Sequence, residues 1–158
     1  MQELITRIKE LLADKTVDRA IGWRAGDLGC NPEPAYFNSV EDMDKFVYDG
    51  FCGANLSKMM IEAAKLEGKT LVCLKPCDTY SFNQLIKEHR VDREKAYIIG
   101  VGCKGKLDIE RIRKQGIKGI ESISGAEITD EAETLTIQTI YGCLLYTSPS
   151  PRDRSLSR

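Results

Sequence analysis

This 158-residue chain has one histidine, one tryptophan and no Cys-x-x-Cys pair. It also lacks any apolar run as long as a bilayer crossing requires. Each scarcity closes off a class of function. The sole imidazole, His89, stands between Glu88 and Arg90 near an expected helix end, a solvated place favoured by the helix dipole, and no Ser/His/Asp constellation accompanies it. The closest cysteines, Cys73 and Cys77, are separated by three residues, which is neither a ferredoxin nor a zinc-ribbon spacing. A formal net charge of −1 supplies no excess to hold nucleic acid or an anionic membrane. Met1 to Glu10 reads as an amphipathic helix and not as a signal peptide, so we expect a cytoplasmic location.

What remains is ordinary bulk with an unusual number of thiols. Hydrophobic residues make up 42% and charged residues 30%, enough for one domain with a core. There are six cysteines: Cys30, Cys52, Cys73, Cys77, Cys103 and Cys143. In a reducing compartment these are buried apolar groups, metal or cluster ligands, or reactive thiols.

The pattern along the chain places several of them. Leu4, Ile5, Ile8, Leu11 and Leu12 have helical spacing over residues 2–13, and a short strand follows over Asp18 to Trp23. Pro32 and Pro34 force the stretch from Cys30 to Phe37 to be extended. Ser39 with Asp42 resembles a capping box and predicts a helix to Tyr48; another is expected from Asn55 to Glu67, stopped by Gly68. Then come a strand at 70–74, a helix from Asp78 to His89, a strand at 96–101, and a helix from Asp108 to Gln115. Ile117 to Ile123 and Leu135 to Tyr141 read as two more strands. Strand and helix alternate from 69 to 123, which predicts a mainly parallel sheet in an α/β three-layer sandwich spanning residues 1–142. Residues 143–158 are rich in Ser, Pro and Arg, and we expect them to be disordered. From Leu144 they also resemble a translated sequencing adaptor, so the chain is expected to be part of a longer protein.

Two buried strands run into cysteines: Leu71-Val72-Cys73-Leu74 into Pro76-Cys77-Asp78, and Tyr97-Ile98-Ile99-Gly100-Val101 into Gly102-Cys103. In an open α/β sheet, ligands bind where strands hand over to helices, and a thiol there has its thiolate favoured by the helix N-terminus. Cys77 is therefore a candidate to face a cofactor or to ligate a cluster; the plainer alternative is a half-buried cysteine in a tight turn. Cys103 lies in Gly100-Val101-Gly102-Cys103-Lys104-Gly105-Lys106, where glycines admit close approach and lysines can meet phosphate or carboxylate; a flexible turn with solvated lysines is the plainer reading. Cys30 and Cys52 sit in loops ahead of other elements and could complete a four-cysteine site. Cys73, inside its strand, and Trp23 are read as core.

Taken together, Leu71 to Thr79, Gln84 to Glu88, Val91 to Glu94 and Tyr97 to Gly105 resemble the β subunits of coenzyme F-420-dependent hydrogenases and of formate dehydrogenases. The earlier stretch from Phe46-Val47-Tyr48 to Asn55-Leu56 fits as well, extending the likeness over about residues 4–142. The resemblance implies an electron-transfer subunit with a 4Fe–4S cluster, FAD, or both. It implies partners too: a catalytic hydrogenase or dehydrogenase subunit, and a deazaflavin, nicotinamide or ferredoxin carrier. Cys77 and Cys103 match the family's strand-end cysteines, and Gly102 and Gly105 its loop. Asp78 and Lys104 lie beside them as further cofactor-binding candidates, and Cys77, Cys103, Cys30 and Cys52 are the candidate cluster ligands. Many relatives continue into closely spaced ferredoxin-type cysteines, which this sequence lacks. Two other classes stay open: a docking module for the catalytic subunit, and a thiol enzyme using Cys77.

Overall fold

The computed structural model describes residues 2–27, 31–103, 105–106, 109–114, 116–128 and 132–149. The chain divides into two compact units. The first holds residues 1–24, 33–48 and 54–103; the second holds 25–32, 49–53 and 104–158.

The first unit is an α/β sandwich. Helix α1 (Gln2–Ala13) precedes β1 (Arg19–Arg24) and β2 (Glu33–Phe37), and helix α2 (Met60–Ala63) follows. Then come β3 (Thr70–Leu74), α3 (Asp78–Lys87) and β4 (Ala96–Gly100). The sheet order is β2-β1-β3-β4, parallel between β1, β3 and β4, with β2 antiparallel on β1. β3 is buried at every position, so both sheet faces are covered where it runs. α1 contributes Ile8 and Leu11 to the core, and Leu56, Met60 and Ala63 enter from the segment before β3. The expected mainly parallel sheet is thus present, and Pro34 sits on the border strand β2, where a missing N–H is tolerated.

Two expected helices are shorter than their sequence patterns. Between Ser39 and Tyr48 only one 3-10 turn forms, Asp42–Lys45, with the Asp42 N–H donating to Ser39 Oγ at 3.2 Å. Phe46 then turns extended and packs against Phe37 with ring centres 5.6 Å apart. The helix expected over 55–67 is a 3-10 turn, Leu56–Met59, running into the single α turn of α2. Asn55 caps it by accepting from the Ser57 N–H at 3.0 Å.

His89 closes α3. It takes a left-handed φ of 54°, its N–H donates to Ile86 O at 3.0 Å, and the Arg90 N–H donates to Leu85 O at 3.0 Å. That is a Schellman ending with histidine where glycine is usual. The one imidazole is exposed and serves a backbone turn.

The second unit contains α4 (Ile109–Lys114) and an antiparallel sheet, β5 (Ile120–Ile128), β6 (Ala132–Thr139) and β7 (Gly142–Pro149). Two of these strands were expected from the sequence, the first of them within the alternation that predicts a parallel sheet; both lie in a separate antiparallel one. Gly142 to Pro149 pair with β6, from Thr139↔Gly142 to Ala132↔Pro149. Leu144, Leu145, Tyr146 and Thr147 favour a pleated strand, which outweighs the Ser/Pro composition. Residues 150–158 lie outside the described ones.

Gly22 makes the crossing at β1 possible, because a Cβ there would run into the Phe46 ring and crowd Phe37. Gly22→Ala is expected to lower stability by about 1–3 kcal/mol, read as a lower urea midpoint with an unchanged slope.

Candidate functional site

Parallel register decides where the two strand-end thiols emerge. Leu74 on β3 faces Gly100 on β4, and the Val101 N–H donates to Leu74 O at 2.9 Å. Cys77 and Cys103 each follow these paired residues by three positions, so both leave the sheet at one rim, and both are exposed.

The Cys77 turn is tightly built. The Asp78 N–H donates to Lys75 O at 2.9 Å, and Thr79 Oγ1 donates to Pro76 O at 2.7 Å. Cys77 itself is the N-cap of α3 and makes no side-chain cap bond, leaving the first-turn N–H groups without one. Its thiol donates weakly to Asp78 Oδ1 at 3.7 Å. Asp78, expected as a rim residue, is buried.

Beneath that turn lies a polar cluster the sequence reading missed. The Lys75 side chain is only 3% exposed, and its Nζ donates to Ala54 O at 3.0 Å. It also lies 3.7 Å from Asp78 Oδ2 and 4.9 Å from the centre of the Trp23 ring. Two ions removed from water are tolerated because each finds the other and Lys75 also meets a carbonyl and an aromatic face. Trp23 Nε1 and Asp78 Oδ2 are buried without a hydrogen-bond partner. Trp23 also packs against Tyr48 with ring centres 5.2 Å apart, and Tyr48 Oη donates to Gly102 O at 2.6 Å. Asn55 Nδ2 donates to Ser81 Oγ at 2.9 Å, tying the capped turn to α3. A signal for Lys75 was present: a charged residue directly after an all-apolar strand, three positions before an aspartate.

The loop after β4 has bare backbone. A Cβ at Gly100 or Gly102 would meet nothing within 4 Å, and neither has a positive φ. Gly105 does, at 138°, a conformation that favours glycine. Lys104 lies outside the described residues.

Of the other thiols, Cys73 and Cys52 are buried. Cys73 is fully buried in β3, and burial pushes its pKa up to about 12, keeping it a neutral core group. Cys52, in the second unit, is buried in an Asp49–Cys52 turn, where Asp49 Oδ1 accepts from the Phe51 N–H at 2.8 Å and from the Cys52 thiol at 3.5 Å. Cys30 lies outside the described residues. Among the described residues, no three His, Cys, Asp or Glu side chains gather where they could hold a metal ion. No described helix is long and apolar enough to cross a membrane.

No family model matches the sequence. The structure is similar to a chain of the F420-reducing [NiFe] hydrogenase complex from Methanosarcina barkeri, with a TM-score of 0.64 and 17% identity. The match covers 92% of this chain and 53% of that one, so this chain spans about half the neighbour's length. At that identity the likeness is one of fold.

Alkylation should sort the thiols. In the native chain at neutral pH, Cys77 is expected to be modified while Cys73 stays unmodified, and denaturant should expose both; peptide mass spectrometry reads the difference. Because burial raises the folded pKa of Cys73 above its unfolded value, its contribution to stability is complete below the unfolded pKa. It is expected to be lost as pH rises through the folded value of about 12, visible as a declining urea midpoint in alkali.

Proposed function

We propose that this chain is part of an electron-transfer subunit of a hydrogenase-type complex, and that the rim carrying Cys77 and Cys103 faces its redox cofactor. The Leu74↔Gly100 register carries the reading, because it brings both strand-end turns to one edge beside the start of α3. Fold similarity to a chain of an F420-reducing hydrogenase complex supports it, as does the motif likeness between 71 and 105.

Among the described residues this rim offers two exposed thiols, Cys77 and Cys103, and a flavin is the group we propose that it faces. Gly100 and Gly102 leave room for a planar ring to approach the backbone, and the N–H groups at the start of α3 can meet an anionic part of such a molecule. A bound flavin supplies exchange between one-electron and two-electron carriers. The chain's own residues bind and orient: Gly102 admits the ring, Cys77 stands at the N-cap position of the helix that faces it, and Lys75 with Asp78 fixes the turn from below. The catalytic subunit and the soluble carrier are then the partners from which electrons arrive and to which they leave.

Anaerobic incubation with FAD, followed by gel filtration, tests the reading. The chain is expected to retain a visible flavin absorbance band, and Gly102→Val is expected to weaken retention about tenfold, the effect of losing about 1.4 kcal/mol. A Cβ at Gly102 meets nothing within 4 Å in the free chain, so folding is expected to be unchanged. Wild-type protein that elutes colourless would remove the cofactor assignment and leave docking of a catalytic subunit as the role of this unit.

A further inference from the structure

One series of contacts runs from one cysteine turn to the other through Trp23. Asp78 and Lys75 brace the Cys77 turn across three residues, with Oδ2 and Nζ 3.7 Å apart. The same ammonium lies over the Trp23 face at 4.9 Å. Trp23 packs on Tyr48 at 5.2 Å, and Tyr48 donates to the carbonyl of Gly102, the residue before Cys103, at 2.6 Å. Trp23 is 0% exposed and its backbone O accepts from the Val47 N–H at 2.9 Å, which pins Tyr48 beside it.

A buried lysine is a costly way to fill space. Its ammonium is held by a carboxylate, a carbonyl and an indole face, so neither it nor its neighbours can shift without losing charge-assisted contacts in a low-dielectric setting. The hydroxyl of Tyr48 bonds to a loop carbonyl that no strand ladder holds. Trp23 stands between these two anchors and touches both.

We infer that Lys75, Trp23 and Tyr48 form a bracket that couples the Cys77 turn to the Cys103 turn, with Lys75 and Tyr48 acting as positioning residues. Loosening either end releases the other. The assignment gives a purpose to the cofactor rim proposed above and rests on that reading for its role, whereas the coupling itself can be measured with no cofactor present. The two turns then behave as one rigid jaw, so that a group seated between them meets donors already in place.

Amide hydrogen exchange of the full chain without added cofactor tests this, with Tyr48→Phe as the first variant because it removes one hydroxyl and keeps the ring. Exchange is expected to rise about fivefold at 101–103 and also at 77–80, the remote turn, while residues of α1 keep their wild-type rates. Lys75→Met alone would strand the Asp78 carboxylate and risk unfolding, so the double variant K75M/D78N removes both charges together. It is expected to speed exchange at both turns and to shift the emission of Trp23, the chain's only tryptophan. Lys75→Arg, which keeps a cation over the indole, is expected to restore emission and exchange to wild type. Acceleration by Tyr48→Phe confined to 101–103 would overturn the coupling, and so would a uniform rise that includes α1. An emission spectrum unmoved by K75M/D78N would overturn the placement of Lys75. Coupled exchange in a chain that retains no flavin would sink the cofactor reading alone; flavin retention with uncoupled turns would sink the bracket alone.

Discussion

The parallel pairing of β3 with β4 is the constraint on which the rest depends. A single ladder, from Thr70↔Ala96 to Leu74↔Gly100, aligns two strands whose continuations are both turns bearing thiols. A slip of one residue would turn every side chain of β3 to the opposite face. It would also carry Cys73 out of its dry position and Lys75 away from Trp23. Complete burial of β3 on both faces makes such a slip unfavourable. The site is a consequence of strand alignment first and of side-chain chemistry second.

Much of this was legible because the central segment is locally consistent. Residues 70–101 have apolar runs bounded by Lys69, Pro76 and Gly102, and an amphipathic stretch between them, so periodicity alone separates strand from helix. Where tertiary contacts outweigh local signals, the helices stop short of their sequence patterns. The capping bond from Asp42 to Ser39 formed as expected, yet Phe46 left the helical path because its ring covers Gly22 and meets Phe37. The stop at Gly68 is real, with φ at 90° and the Lys69 N–H donating to Asp18 Oδ2 at 2.7 Å, but the helix ahead of it forms only one α turn. The strands after Ile117 were visible as strands. Their assembly into a separate antiparallel sheet was not, since alternation within a strand does not state its partner.

The site was half legible. Cysteines announce themselves, and their positions after strands identified the rim. Asp78 was counted as a rim residue and lies beneath the rim instead. Lys75 escaped notice because a lysine at a strand end normally reaches water. Trp23 was read as core, which its burial supports, although its neighbours are a cation and a phenol as well as hydrocarbon.

The proline on β2 bears on how this protein meets copies of itself. An outer strand with a full row of amide donors invites another chain to extend the sheet. Pro34 interrupts that row, opposite Trp23, at the second position of a five-residue strand. On this side the sheet is therefore blunted against recruitment, and oligomers built by continuing the ladder past β2 are disfavoured.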